Sequence, residues 1–414
     1  MTVLLVSEYF YPHSTGGTEQ YVYELAGALV SANIHTTILA VSTPANSYRY
    51  NNIEVHTIPF NNNFSKQVIG GITAADNLQA FINKLNELQP DVVHFHTLTT
   101  SIGTFHYEAA HKTGAKVIFT SHIPGNTCLR GDLMRYGETV CDGKVRLNTC
   151  LACYLNANGI PKVISPVVAK AMRILKYPAV LSQASAIKQQ QLEKIKAICS
   201  HVVTLSNWQQ QVFLINGFTP AQLILSRHTF KGVPSNFKQD PQSGIITIGF
   251  AGRVTPVKGL HILIEAFKKL DSKLYELQIA GIKDPEHQQY MDGLLAETKE
   301  LKNIHWHFDY TPDTINSFYQ KTNVLCIPST WHETGPYVMF EAIARHIPVI
   351  ASNIGGMQEW ANLNYPVKTY AFNNALALTQ LLKEFPGNMS STYSTSPQKT
   401  VADLANEMIE IYSR

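Results

Sequence analysis

STWHETGPYVMFEAI, residues 329–343, holds two glutamates on either side of a turn. The apolar run 324–329 before it reads as a strand. The spacing of Val338, Met339, Ala342 and Ile343 after it reads as a helix. Gly335 and Pro336 mark the change from one to the other. Glu333 then falls in the loop and Glu341, after seven intervening residues, in the helix. The start of such a helix presents backbone N–H groups that attract an anion. Those of Gly335, Tyr337 and Val338 are expected to hold phosphate oxygens, whereas Pro336 has no N–H to offer. Glu341, taken as lying early in its helix where the dipole favours a carboxylate, is expected to accept hydrogen bonds from ribose hydroxyls. Glu333 is expected to meet a sugar. An anion site and two carboxylates in one short stretch suit a nucleotide-sugar diphosphate. By itself, a glutamate pair at this spacing is more often two solvated surface charges.

Outward from this stretch the chain alternates short apolar runs with helical patterns. In the second half the expected strands are 246–252, 276–281, 324–329 and 348–352, with Leu260, Leu263, Ile264 and Phe267 on one helix face. In the first half they are 3–10, 36–42, 92–97, 116–122 and 201–206, and 18–31 reads as a helix. Apolar strands separated by helices imply parallel βαβ units buried on both faces. The fold class expected is α/β, two Rossmann-like doubly wound domains in tandem. Residues 1–215 would form the first domain and 240–395 the second, joined by a linker within 219–243. In such pairs the ligand sits between the domains, in a cleft at the carboxyl ends of the strands. Residues 124–159 read as irregular, 386–397 as a mobile loop and 401–412 as a helix.

Three further segments carry candidate chemistry. AGRVTPVKGL (251–260) follows a strand and opens a helix, placing Arg253 and Lys258 in a loop with Gly252. A guanidinium fork and an ammonium suit a diphosphate leaving group, although a solvated turn with surface charges has the same look. EYFYPHSTGGTEQ (8–20) is a long first βα loop. Gly16 and Gly17 would let the backbone approach a ligand, and Thr18 would cap the next helix. His122 ends a strand ahead of a long departure from a short turn, so it is favoured over His94 and His96 as the group facing a reacting sugar.

The composition bounds the answer. With 414 residues, 45% hydrophobic and 15% charged, the chain is a globular protein with room for two cores. A net charge of +3 with no basic-aromatic motif argues against nucleic acid. The opening MTVLLVS lacks a basic n-region and reads as a buried strand rather than a signal peptide. No run of about 18 apolar residues is present, and a cytoplasmic location is expected.

Four of the six cysteines, Cys128, Cys141, Cys150 and Cys153, are spaced C-x12-C-x8-C-x2-C. They read either as a structural zinc site stabilising the 124–159 loop or as buried or free thiols, with a disulfide disfavoured by the compartment. Lys162, Lys170, Arg173 and Lys176 lie among Ile, Val, Met and Leu. That pattern is either an amphipathic surface helix or one that rests on an anionic membrane beside a lipid-linked acceptor.

As a set, these segments resemble family 4 glycosyltransferases of the GT-B fold over almost the whole chain. The residues that carry the resemblance are GGTE (16–19), DVVHFH (91–96), His122 at its strand end, GR…KG (252–259), ETGPYVMFEA (333–342), IPVIAS (347–352) and GGMQE (355–359). It implies a retaining hexosyltransferase that moves a sugar from a nucleotide-diphosphate donor, a UDP- or GDP-sugar, to a glycan, lipid-linked or other acceptor. It implies no bound metal for catalysis, in keeping with the lack of an Asp-x-Asp sequence. Bacterial polysaccharide or glycoconjugate assembly is the implied setting, with peripheral contact at the inner membrane face. By resemblance Glu333 contacts the donor sugar, Glu341 the ribose, Arg253 and Lys258 the diphosphate, Gly17 the phosphates and His122 the sugar. The terminal helix, 400–414, would return to the first domain. Alternatives kept open are a GT-B epimerase or phosphorylase and a non-catalytic sugar-binding scaffold; an intact Arg253, Lys258, Glu333 and Glu341 set argues against the scaffold. Two places depart from the family pattern: His346 stands where a glycine is usual, and 224–233 only loosely matches Asn-Gly-Val.

Overall fold

The computed structural model describes residues 1–14, 16–61, 63–229, 237–240, 244–311, 314–384 and 399–414. The chain divides into two compact units: unit 1, Met1–His228 with Lys399–Arg414, and unit 2, Thr229–Gln398. Each is an α/β layer structure around a largely parallel sheet.

Unit 1 contains strands β1 (Thr2–Val6), β2 (His35–Ser42), β3 (Ser47–Tyr50), β4 (Ile53–Pro59), β5 (Val92–Phe95), β6 (Lys116–Ser121), a small hairpin of β7 (Met134–Arg135) and β8 (Thr139–Val140), β9 (His201–Thr204) and β10 (Leu223–Leu225). Its main sheet runs β10-β9-β6-β5-β1-β2-β4-β3, parallel except where β3 returns along β4. The central strands are buried at nearly every position because helices cover both faces. Those helices are α1 (Gly17–Ser31), α2 (Lys66–Ile69), α3 (Leu78–Leu88), α4 (Thr104–Lys112), α5 (Leu147–Ala157), α6 (Ser165–Leu175), α7 (Ala184–Ile198) and α8 (Asn207–Ile215).

Unit 2 contains β11 (Ile246–Arg253), β12 (Tyr275–Ile282), β13 (Ile304–His307), β14 (Val324–Ile327), β15 (Val349–Ser352) and β16 (Val367–Tyr370), in the all-parallel order β13-β12-β11-β14-β15-β16. Its helices are α9 (Leu260–Phe267), α10 (Gln288–Thr298), α11 (Asn316–Lys321), α12 (Tyr337–Ala344), α13 (Gly356–Asn362) and α14 (Ala375–Lys383). Two buried clusters, one containing Leu263 and Ile279 and the other Phe340 and Trp360, make its core.

The last helix, α15 (Val401–Ser413), belongs to unit 1. A capping box between Thr400 and Asp403 starts it. Leu404, Met408 and Ile411 pack with Tyr21, Val22 and Leu25 of α1. The Tyr412 hydroxyl lies 2.7 Å from His94 Nδ1 on β5, and Lys116 Nζ donates to the Tyr412 carbonyl at 2.9 Å. The chain end is thus fixed by apolar burial and by hydrogen bonds to two strands.

Several expectations are corrected. The first strand ends at Val6 rather than at residue 10, and the strands expected to reach His122 and Thr97 stop at Ser121 and Phe95. Residues 124–159, expected to be irregular, contain the β7–β8 hairpin and α5. Leu151, Ala152 and Leu155 of α5 pack on Ala169 of α6 to form a small core of their own. Thr18 does not cap α1: the capping position is Gly16, and the helix has begun by Gly17. Part of the expected linker, at Leu223–Leu225, is the edge strand β10 paired with β9. The expected loop 386–397 lies outside the described residues.

Candidate functional site

In a doubly wound sheet a crevice forms where successive strands leave in opposite directions from a starting strand. In unit 2 that point lies between β11 and β14, and in unit 1 between β1 and β5. Sequence-expected residues gather beyond the carboxyl end of the sheet at both.

In unit 2 the loop after β14 carries Glu333, and the turn after β11 carries Lys258. Three donors converge on Glu333 Oε1: Lys258 Nζ at 2.7 Å, Ser329 Oγ at 2.8 Å and Trp331 Nε1 at 2.8 Å. The Lys258 ammonium also lies 5.4 Å from the centre of the Trp331 ring. Burial alone would raise the Glu333 carboxyl. The Lys258 charge and the three hydrogen bonds outweigh it and hold the group below the usual carboxylate range. Glu333 is therefore a buried, ionised carboxylate at neutral pH.

Two glycines explain how these loops close up. Gly259, at φ +70°, follows Lys258, and a Cβ there would lie 1.9 Å from the Pro328 carbonyl oxygen. No other residue lets the Lys258 turn lie against the β14 end, where Thr330 N–H also donates to the Val257 carbonyl at 2.8 Å. Gly355, at φ +61°, backs onto Glu333, and its Cβ would meet the Glu333 N and O at 2.9 and 2.7 Å. The next residue, Gly356, donates its N–H to the Glu333 carbonyl at 2.6 Å. The backbone of Glu333 is clamped on one side by a glycine pair and its carboxylate by three donors on the other.

Gly335 and Pro336 precede α12, and Tyr337 and Val338 open it. Glu341 is the fifth residue of that helix and lies beyond its first turn. The helix dipole is therefore not what places it, contrary to expectation. Tyr319 on α11 does so, donating its hydroxyl to Glu341 Oε2 at 2.6 Å. Arg345, stacked over Tyr319 at 4.7 Å, completes the wall. Arg253, the last residue of β11, is exposed and pairs with no carboxylate among the described residues.

In unit 1 a pocket of about 120 Å³ lies beyond β1, β5 and β6, lined by Glu8, Thr18, Glu19, His96, His122 and Asn126 among others. Gly16 and Gly17 form the start of α1 beside it. The Glu19 carboxylate packs 2.6 Å from where a Gly16 Cβ would stand, and Ser14 Oγ donates to it at 2.6 Å. His122 Nε2 lies 3.1 Å from His96 Nδ1, and the His122 ring meets Tyr21 edge-on. Burial holds both His96 and His122 well below the usual imidazole range, so both rings are neutral. His96 Nε2 is buried with no partner among the described residues. The sequence singled out His122 but not its dependence on His96, nor Glu19, Ser329, Trp331 and Tyr319. Those residue types are ordinary, and only tertiary contact gives them a part.

The four clustered cysteines are free thiols. Tyr136 N–H donates to Cys153 Sγ at 3.1 Å and Arg146 N–H to Cys150 Sγ at 3.2 Å. Burial, with neighbouring Cys128, Cys141 and Cys153, pushes the Cys150 thiol up to about 11, and burial also raises Cys141 and Cys153. Among the described residues no group of three or more His, Cys, Asp or Glu is placed to hold a metal ion.

Comparison with known proteins agrees with this arrangement. Residues 15–141 match the family profile described as Glycosyltransferase Family 4, and residues 235–385 that described as Glycosyl transferases group 1. The chain belongs to glycosyltransferase family 4. Among curated members of known sequence it is 30% identical over 118 residues to a lipopolysaccharide 1,2-N-acetylglucosaminetransferase of Salmonella typhimurium, covering 27% of this chain and 31% of that one. It is 34% identical over 113 residues to the capsular polysaccharide biosynthesis glycosyltransferase CapM of Staphylococcus aureus, covering 26% and 28%. The chain thus spans about three tenths of the length of these relatives. Over its whole length it is similar in fold to Anabaena HepE solved with UDP and glucose, with a TM-score of 0.67, 14% identity and coverage of 100% and 99%. A sucrose-phosphate synthase from Thermosynechococcus elongatus follows at 0.65 and 16%, covering 100% and 98%. The family's GT-B fold is the fold of this chain.

Proposed function

We propose that the protein is a retaining glycosyltransferase that takes a sugar from a nucleotide-diphosphate donor in the assembly of a surface polysaccharide or related glycoconjugate. The observation that carries this reading is the Lys258–Glu333 pair held at the switch point of unit 2, next to the start of α12. Arg253 and Lys258 would take the diphosphate, with the first N–H groups of α12 supplementing them. Glu341, oriented by Tyr319, would accept from the ribose hydroxyls. HepE, similar in fold, is described with UDP and glucose, which supports a UDP-sugar as the donor.

The electrostatics set the role of Glu333. A carboxylate held ionised cannot serve as a proton donor. It would position the sugar hydroxyls and favour positive charge developing at the anomeric carbon. A diphosphate would share Lys258 with Glu333, while Ser329 and Trp331 hold the carboxylate in place. Retention would follow from attack on the face that the leaving phosphate vacates, with that phosphate accepting the acceptor proton. Arg253 and Lys258 would stabilise the charge that builds on it. In unit 1 the neutral His122 and the Glu19 carboxylate offer hydrogen bonds to sugar hydroxyls.

We further propose that the protein sits peripherally on a membrane. No helix among the described residues is long and apolar enough to cross one. The support is α6 and its flanks, where Val163, Val167, Ile174, Leu175 and Tyr177 are 70–87% exposed alongside Lys162, Lys170, Arg173 and Lys176.

The donor reading is tested by thermal shift with UDP, GDP and their sugars, followed by transfer assays. Saturating ligand at about 100 times its Kd should add roughly 2.7 kcal/mol of stability. Glu333→Gln should bind UDP but lose about 100-fold or more in kcat. Equal turnover by the variant, or no nucleotide binding by the wild type, removes the reading.

A further inference from the structure

A second cavity, of about 660 Å³, opens within unit 1, and none of the residues that the family resemblance singles out lines it. Its walls are α2 with Gly70 and Gly71, the start of α4, the 125–131 turn, the Pro178–Leu181 segment and α7. The volume falls in the range of about 300–1,000 Å³ typical of small-molecule sites. Val68, Leu98, Phe105, Leu129, Val180 and Ile187 give it an apolar lining. Its two cations are Lys66 and Lys188, and no Asp or Glu lines it.

Lys188 is the telling group. It projects from α7 into this apolar wall, where its Nζ donates to the Gly125 carbonyl at 3.1 Å, and it pairs with no carboxylate among the described residues. Burial brings its ammonium down to about 8, with nearby Cys128 opposing the shift. A half-buried cation without a counter-ion in an apolar wall is destabilising, and an anion supplied by a ligand relieves that cost. Two other features bear on what the ligand is. Leu98 and Thr99 line both this cavity and the pocket at His122, so the two adjoin. The Pro178–Leu181 segment follows directly on α6, whose outer face is apolar and basic.

We propose that this cavity binds an amphiphile, an apolar chain lying along the α2–α7 wall and ending in a phosphate or diphosphate monoester on Lys188. As the acceptor of sugar transfer this ligand rests on the transferase reading, but its binding does not. The chemistry asks for both parts at once. The lining is mostly apolar, which suits an alkyl chain better than a bare glycan, and an ammonium without a carboxylate partner gains nothing from a neutral lipid.

The test is calorimetric titration of the full-length protein with decyl phosphate below its micelle concentration, with decanol and with inorganic phosphate. The wild type should bind decyl phosphate at least about tenfold more tightly than either other probe. Lys188→Met should erase the advantage over decanol, and Ala184→Phe, which fills the cavity, should weaken both apolar probes. Decanol or inorganic phosphate binding as tightly as decyl phosphate, or an advantage that survives Lys188→Met, overturns the proposal. If Ala184→Phe does not fold, the Lys188→Met comparison decides alone. A parallel UDP titration separates the two readings. UDP binding without decyl phosphate binding defeats the cavity and leaves the donor site, and the reverse defeats the donor site alone.

Discussion

His346 shows how much a single backbone angle explains. It stands at φ +60° just past α12, where the N–H of Ile347 reaches the Ala342 carbonyl at 2.9 Å and that of His346 the Ile343 carbonyl at 3.0 Å. These are the two bonds of a Schellman ending, whose left-handed position is easiest for glycine. The departure from the family pattern is thus a tolerated side chain at a glycine position. The left-handed strain of about 1–2 kcal/mol exceeds the unfolded-state entropy of about 0.4–1 kcal/mol that a glycine adds. The His346 side chain is exposed and packs little. His346→Gly should therefore stabilise the protein by roughly 0.5 kcal/mol in urea unfolding. A loss of stability would show that the ring contributes more than its exposure suggests. At the same scale Glu333 was legible in the sequence as a carboxylate beside a turn. That it is ionised was not, because the donors holding it come from the ends of two strands and from its own loop.

At the scale of the element, α6 is the case where pattern and structure meet. Its inner face, Ser165 and Ala169, is buried on α5, and its outer face keeps Val167 and Ile174 in solvent. Basic residues on an amphipathic helix allow either a plain surface helix or a membrane-resting one, and the sequence left both open. Exposed aliphatic side chains of this size favour the second, since each gains about 1 kcal/mol or more on leaving water. Sedimentation with vesicles containing phosphatidylglycerol should carry the wild type down. Val167→Ser with Ile174→Ser should cut the partition coefficient about tenfold or more, and Lys170→Ser should weaken its dependence on anionic lipid. A wild-type protein that stays in the supernatant at every lipid composition would end the membrane reading. Elements were otherwise legible where hydrophobic period was strong, as in α1 and β11. They were missed where burial was partial, as in β3, β13 and β16, or where the strands are very short, as in the β7–β8 hairpin.

For the whole molecule, the buried histidines of unit 1 predict an acid limit. His94 and His228 are brought down to about 3 by burial, and His96 and His122 are also held low. The native state keeps them neutral, while the unfolded chain protonates them near pH 6.5. Their stabilising share is full above about pH 6.5 and is lost as pH falls toward the folded values. Each contributes about 1.4 kcal/mol per pH unit across that window. Urea midpoints should therefore drop steeply from pH 7 to pH 5, and His94→Gln should make that slope shallower. An unchanged slope would mean that these rings protonate in the folded state.

The sequence by itself determined the class of this protein: apolar runs at strand and helix periods, and glycines and glutamates at family spacing, fix two βαβ layers and their turns. That follows because periodicity and backbone conformation are local properties of the chain. Only the tertiary structure decided what those residues touch. It showed that Gly355 clamps Glu333, that Tyr319 rather than a helix dipole orients Glu341, that His122 leans on His96, and that the clustered cysteines form no disulfide. It alone revealed the cavity around Lys188, whose walls come from segments that span residues 66–191. Charge states, close approaches and cavities depend on groups far apart in the chain, and no local pattern records them.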